Sequence, residues 1–281
     1  MQNETRTLID RAIAGDKKAL EALMMTVQDM VFTLSLRMLG NVQDAEDATQ
    51  EIFIRIITGL SSFKGESAFS TWAYRVAANH LLNYKKSMFA KMPPLSFEYY
   101  GADIENGYDT SAAQDLHGVD RELLSEELKM SCTNVMLQCF DAESRLVYVL
   151  GTMFRVDSKV AGEILGIAPE AYRQRLSRLK KKMAGFLKAY CGLASPGKCS
   201  CSKRVEYAIE THRLHPKQLP YTALTPTETE RSTVLKEAME EMDEQSAVFE
   251  QLPAYQATVS VRDYLDHLLA SPSMGIILAE E

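Results

Sequence analysis

The chain has 281 residues, 46% apolar and 25% charged, which suits about two globular domains with real cores and excludes a low-complexity or fibrous protein. A formal net charge of −7 excludes wholesale coating of nucleic acid, though not local basic patches. No apolar run approaches the roughly 20 residues of a membrane span, and MQNETRTLID has no signal-peptide pattern, so a cytoplasmic, all-α chain without a disulfide framework is expected.

Residues 5–39 read as helical. Leu8, Ile9, Ala12 and Ile13, then Ala19, Leu20, Leu23, Met24, Val27, Val31, Leu34 and Met38, recur every three or four positions. Gly15–Asp16 predicts a break and Gly40–Asn41 an end. Asp44 predicts the start of the next helix, with Ile52, Phe53, Ile56 and Ile57 on its apolar face. Asp44, Glu46, Asp47, Gln50 and Glu51 form the other face. Two readings of that face are open: a solvated acidic surface, or a dock for a basic partner helix.

Phe63 to Lys86, FKGESAFSTWAYRVAANHLLNYKK, runs from a Gly/Ser loop into a helix that Ser70 or Thr71 would cap. Phe69, Trp72, Tyr74 and Tyr84 interleave with Arg75, Asn79, His80, Asn83, Lys85 and Lys86. Stacking faces beside cations and amides suit unpaired nucleic acid, although Trp72, Val76 and Leu81 also fit a plain core stripe.

Residues 87–120 carry Pro93–Pro94, Gly101, Gly107 and Gly118, with no Lys or Arg between Lys91 and Arg121. An acidic linker without regular elements is expected, either a solvated tether or a polyanion that fills a nucleic-acid channel. Residues 121–190 return to helical spacing. Val160, Ala161, Ile164 and Leu165 lead to a turn at Gly166. Pro169 then opens a helix with Tyr172, Leu176, Leu179, Met183 and Phe186 on one face and Arg173, Arg175, Arg178, Lys180, Lys181 and Lys182 on the other. From Arg173 to Lys188 there is no acidic residue. A short helix, a turn and a basic second helix make a helix-turn-helix pattern suited to the major groove.

In this order, DAEDATQEIFIRI (Asp44–Ile56), FKGESAFSTWAYRVAANHLLNY (Phe63–Tyr84) and the Arg173, Arg175, Leu176, Arg178 pattern resemble a bacterial RNA polymerase sigma factor of the extracytoplasmic-function group of the sigma-70 family. The resemblance covers about two-thirds of the chain. It implies a region 2-like domain at 1–90, an acidic linker at 91–122 and a region 4-like helix-turn-helix domain at 123–190, followed by a C-terminal extension at 191–281. By the same resemblance, Asp47, Gln50, Glu51 and Phe53 would dock on the β′ subunit of the polymerase core. Phe63, Lys64, Gly65 and Ser67 would capture a flipped base of the −10 element, with Trp72, Arg75, Asn79 and Asn83 on the strand-opening surface. Arg173, Gln174, Arg175, Ser177, Arg178 and Lys181 would read the −35 element. Promoter DNA and the core β and β′ subunits are then the implied partners, and an anti-sigma factor a further one. Where the family has a small residue and Thr, this turn reads Ala168-Pro169-Glu170-Ala171, so the bases read are not fixed by the resemblance.

The extension departs from a minimal member. Cys191, Cys199 and Cys201 lie close together in CGLASPGKCSCSKRV and suggest a site for zinc or another thiophilic metal, with His212 or His215 as fourth ligand. The C-x-C spacing is not that of a zinc finger; ordinary thiols and a redox switch are the alternatives. Pro216, Pro220 and Pro226 predict a second linker. Thr227–Phe249 predicts an acidic amphipathic helix, and Val259–Leu269 a last short one, either packed as an appendage or regulating the basic helix. No nucleophile–base pair, Gly-rich phosphate loop or carboxylate–His cluster points to an enzyme, and no cofactor is required. A helix-turn-helix regulator acting alone is the second reading, although it leaves DAEDATQEIF without a role.

Overall fold

The computed structural model describes residues 2–89, 95–107, 115–116, 118–195, 199–226, 249 and 252–270. The architecture is helical, as expected, with one two-stranded antiparallel ribbon, β1 (Asp115–Leu116) and β2 (Val119–Asp120). No single described helix is long and apolar enough to cross a membrane.

Residues 5–39 form three helices rather than two: α1 (Gln2–Ile13), α2 (Lys17–Met25) and α3 (Gln28–Leu39). Asp16 caps α2 through the Lys18 and Ala19 amides, at the break the sequence predicted. The unforeseen break comes at Thr26–Val27, where the Thr26 hydroxyl donates to the Leu23 carbonyl and Val27 drops into the core. α3 ends at Gly40 in the left-handed conformation, as a C-terminal glycine does. α4 (Val42–Thr58) is capped by Asn41, whose side chain accepts from the Asp44 amide at 2.7 Å, so Asp44 sits in the first turn instead of opening it. α5 spans Phe69–Phe89; Ser70 and Thr71 lie inside it, and the Ala68 carbonyl accepts from the Trp72 amide.

The acidic stretch holds a helix the sequence did not announce, α6 (Phe97–Asn106), capped by Ser96. Gly101 reads as a breaker because glycine disfavours helices. Its role here is clearance: a Cβ at that position would lie 2.6 Å from the ring of Tyr190. Asp103 is not a solvated linker carboxylate. It accepts from Arg213 at 2.5 Å, Tyr207 at 2.9 Å and Arg204 at 3.2 Å. Burial alone would raise its pKa, but these donors hold the carboxyl below its ordinary value.

α7 (Arg121–Gln138), α8 (Ala142–Tyr148), a π-helical turn at Val149–Met153, α9 (Ser158–Leu165) and α10 (Pro169–Tyr190) make up the helix-turn-helix half. After α11 (Val205–Glu210), the proline-marked segment is not an open linker. Tyr221 and Leu224 are buried with Tyr255 against Phe32 and Leu36 of α3, and the Glu127 carboxylate accepts from the Tyr221 and Thr222 amides. The predicted acidic helix at 227–249 lies outside the described residues except for Phe249, which is buried with its ring 5.5 Å from Tyr148. The predicted last helix is present as α12 (Val261–Leu269), capped by Ser260.

One continuous core joins these parts. It includes Leu34, Ile52 and Leu81, Phe97 and Ile104, Leu146, Met183 and Phe186, and Leu252 and Leu265. Two fully buried arginines cross it. Arg145 of α8 donates to the Met38 carbonyl at 2.6 Å, Leu137 at 2.8 Å and Phe140 at 2.8 Å, tying the end of α3 to the α7–α8 corner. Arg37 of α3 donates to Asn134 of α7 at 3.0 Å and to the Pro253 carbonyl at 2.8 Å. Desolvation lowers the pKa of both, that of Arg145 to about 10. Carbonyl dipoles take the place of water around each guanidinium.

Candidate nucleic-acid and polymerase interfaces

α4 buries Ala45, Ala48, Ile52, Phe53 and Ile56 and leaves Asp47 and Glu51 exposed, with Gln50 half-buried. Phe53 is therefore a core residue, 1% exposed, and not a surface contact in this conformation. Its apolar ring follows the same i, i+3, i+4 stripe as Ile52 and Ile56, which carries it inward. Part of the neighbouring surface is occupied by the chain itself. Tyr264 of α12 packs its ring 6.1 Å from that of Phe53 and donates to the Gln50 carbonyl at 3.0 Å. Lys17 pairs with Asp266, and Arg262 with Glu21 at 2.7 Å, which fixes α12 across α2.

Beside this face, α4 and α5 form an open cleft of about 400 Å³ lined by Arg55, Thr58, Val76, Asn79, His80 and Asn83. Asn79, His80 and Asn83 were among the residues expected at a nucleic-acid surface; Arg55 joins them. The spacing of 76, 79, 80 and 83 already puts four of these on one helical face. Arg55 Nε donates to His80 Nδ1 at 2.9 Å, and His80 Nε2 lies 3.5 Å from the Glu51 carboxylate. Burial and the Arg55 charge hold the imidazole below its ordinary pKa, against the opposing pull of Glu51. A neutral His80 thus accepts from Arg55 and points its N–H at Glu51.

The loop ahead of α5 exposes Lys64 and Gly65, with Ser67 half-exposed. Phe63 is buried, its ring 6.0 Å from Phe69 and 5.6 Å from Trp72. These rings form a wedge that holds the loop against the start of α5, and Trp72 is the partly exposed member. Arg75 is half-buried. The adjacent residue, Tyr74, meets Phe154 edge-on at 5.7 Å, so the flank of α5 is covered by the helix-turn-helix half, where α9 also packs. Burial raises the Tyr74 phenol well above its ordinary pKa.

α10 presents the opposite situation. Tyr172, Met183, Phe186 and Leu187 face inward, while Arg173, Gln174, Ser177, Arg178 and Lys181 are exposed and Arg175 is half-exposed. Arg173 is held by Ser158 at 2.9 Å and Glu170 at 2.6 Å, and Arg175 by Glu143 at 3.3 Å. Exposed pairs of this kind are weak enough to be exchanged for phosphates. α9 turns into α10 at Gly166, which is left-handed, with Ile167 packed below.

Residues 23–87 match the family description of sigma-70 region 2. Over 137 residues the chain is 31% identical to the RNA polymerase sigma-H factor of Pseudomonas aeruginosa, an alignment covering 49% of this chain and 70% of that protein. The chain belongs to the sigma-70 family. It resembles the extracytoplasmic-function branch in particular. It is 37% identical over 125 residues to the ECF RNA polymerase sigma-E factor of Haemophilus influenzae, covering 44% of this chain and 64% of that one. It is 35% identical over 124 residues to the Escherichia coli K12 counterpart, covering 44% and 63%. As a sigma factor, the chain has a role in RNA polymerase-directed initiation of transcription. Each of these alignments covers less than half of the chain.

Proposed function

We propose that this sigma factor binds the polymerase core and directs initiation at promoters carrying −35 and −10 elements, under restraint by its own C-terminal extension. The observation that carries the reading is the pairing, on one chain, of an acidic α4 beside an Asn-lined cleft with a separate exposed basic helix, α10. Asp47, Gln50 and Glu51 would meet the β′ subunit. Lys64, Gly65, Ser67, Trp72, Arg75, Asn79 and Asn83 would engage the opened −10 strand, with Phe63 bracing the loop from below. Arg173, Gln174, Arg175, Ser177, Arg178 and Lys181 would read the −35 duplex, and positions 91–122 would pass through the polymerase once α6 is released from the core. The protein acts in the cytoplasm, where the core enzyme is. It needs no catalytic residue, because bond formation belongs to the polymerase. A thiophilic metal at the cysteine segment would therefore act on structure and not on chemistry.

Restraint is supported by α12, which lies on Phe53 and Gln50, and by the packing of α9 on α5. Two separated DNA elements cannot both be engaged while the two reading surfaces share one core, so core binding would draw them apart.

Run-off transcription with purified core polymerase on a promoter-fragment library tests this. Specific initiation at shared −35 and −10 sequences supports it. Greater output from a chain ending near Lys203 supports the restraint. Silence from both chains, with duplex DNA still bound through α10, would replace the reading with a helix-turn-helix regulator that acts alone.

A further inference from the structure

Cysteines are few in this chain, yet four of its five line one enclosed cavity. Cys132 reaches it from α7, Cys191 from the end of α10, and Cys199 and Cys201 from the following loop. Residues far apart in sequence thus converge on a pocket whose other walls include Ile104, Thr133 and Met136. Neither His212 nor His215 is among the lining residues, so the fourth thiol stands where a histidine was expected.

The loop that brings two of these thiols is pinned from both sides. Buried Arg121 donates to the Ser202 carbonyl at 2.7 Å, and buried Arg204 donates to the Ile104 carbonyl at 2.5 Å. Cys199 lies against the end of α10, its amide donating to the Tyr190 carbonyl at 3.4 Å. Gly192 makes that approach feasible, since a Cβ there would fall 1.7 Å from the Cys199 carbonyl oxygen. On the other wall, the Tyr100 hydroxyl donates to Cys132 Sγ at 3.0 Å, a second-layer donor to the sulfur.

We infer that Cys132, Cys191, Cys199 and Cys201 together bind one zinc-class divalent ion, which staples α7, the end of α10 and the C-terminal extension to one another. Among the described residues no three such groups stand in a metal-holding arrangement, so binding requires the four thiols that line the cavity to move together. A tetrahedral thiolate site needs sulfurs about 2.3 Å from the metal. Binding exchanges four S–H bonds for four metal–sulfur bonds and releases four protons to solvent. The product carries two excess negative charges. Lys203 lines the adjoining cavity and offsets part of this charge; Lys129 lines the same cavity but is paired with Glu126 at 3.0 Å. This inference stands independently of promoter recognition, because it concerns the joint behind α10 and not its DNA-facing surface.

The test uses the full chain, purified reduced and without chelator. Elemental analysis is expected to find about one zinc per chain. Cobalt(II) added after zinc removal is expected to give an intense sulfur-to-cobalt charge-transfer band. Both signals should be lost in Cys132→Ser and Cys201→Ser and kept in Cys139→Ser, which alters the cysteine outside the cavity. Absence of both stoichiometric zinc and the cobalt band in the unmodified chain would overturn the inference, and that result needs no variant to fold. Iron in place of zinc would overturn it too. Full metal retention in Cys132→Ser would overturn the four-thiol assignment.

Discussion

The two surfaces that sigma-type recognition would use are held in contrasting states. The basic face of α10 is open, and its ion pairs are exposed and replaceable. The α4–α5 face keeps an open cleft but is covered on its flanks, by α12 at Phe53 and Gln50 and by the helix-turn-helix half at Tyr74. Exposed charge is held by little, so α10 would meet DNA, on the proposed reading, without rearrangement. Buried rings and buried guanidinium groups are cooperative, so freeing α5 from α9 means unpacking a shared core. Under the proposed function, regulation built on this contrast would act on the N-terminal half and leave α10 untouched.

The strongest way to break the contrast is through the core. Arg145→Met would leave the Met38, Leu137 and Phe140 carbonyls without their buried donor. A stability loss of about 3–5 kcal/mol is expected from denaturant unfolding. A loss below about 1 kcal/mol would mean that Arg145 does not tie the halves together. On the open side, Arg178→Ala is expected to weaken binding of a −35 duplex by about 1–3 kcal/mol if it reads a base. If it meets a phosphate, the salt slope should instead fall by about one. Titrating the DNA at several salt concentrations distinguishes the two, and an unchanged affinity would remove Arg178 from the reading face.

A smaller effect sharpens the comparison. Tyr264→Ala removes one ring contact and one hydrogen bond from the cover on α4, together worth about 1–2 kcal/mol. Core polymerase should then bind up to about 30-fold more tightly, while DNA affinity through α10 stays the same. Equal changes in both affinities would argue that α12 serves general stability. The smallest effect concerns pH. His80 has a lowered pKa in the fold, so the unfolded chain binds its proton more readily. Stability contributed by the neutral imidazole is present above the ordinary value of about 6.5 and declines as pH falls from there toward the folded value. His80→Gln should flatten that decline in thermal unfolding followed between neutral and mildly acidic pH. A decline of the same steepness in both proteins would assign it to other groups.

Much of the local structure was legible because helices announce themselves by period and punctuation. The helix-turn-helix at Gly166–Pro169, the stop at Gly40, the break at Gly15–Asp16 and the last short helix all follow from side-chain spacing and backbone freedom. The candidate site was legible where charge or amide side chains recur on one face, as at Asn79 and Asn83. It was not legible at Phe53 and Phe63, whose rings suit either a partner or a core.

What the sequence alone determined is the set of helices, the segregation of charge and the motifs that mark a sigma factor, since all of these depend on neighbours within a turn or two. Tertiary structure alone decided that Gly101 clears Tyr190, that Asp103 serves Arg204 and Arg213, that the Pro-marked segment straps α3 to α7, and that Cys132 joins three distant cysteines. Each of these depends on which distant surfaces meet, and that is set by the packing of the whole apolar core and not by any local pattern.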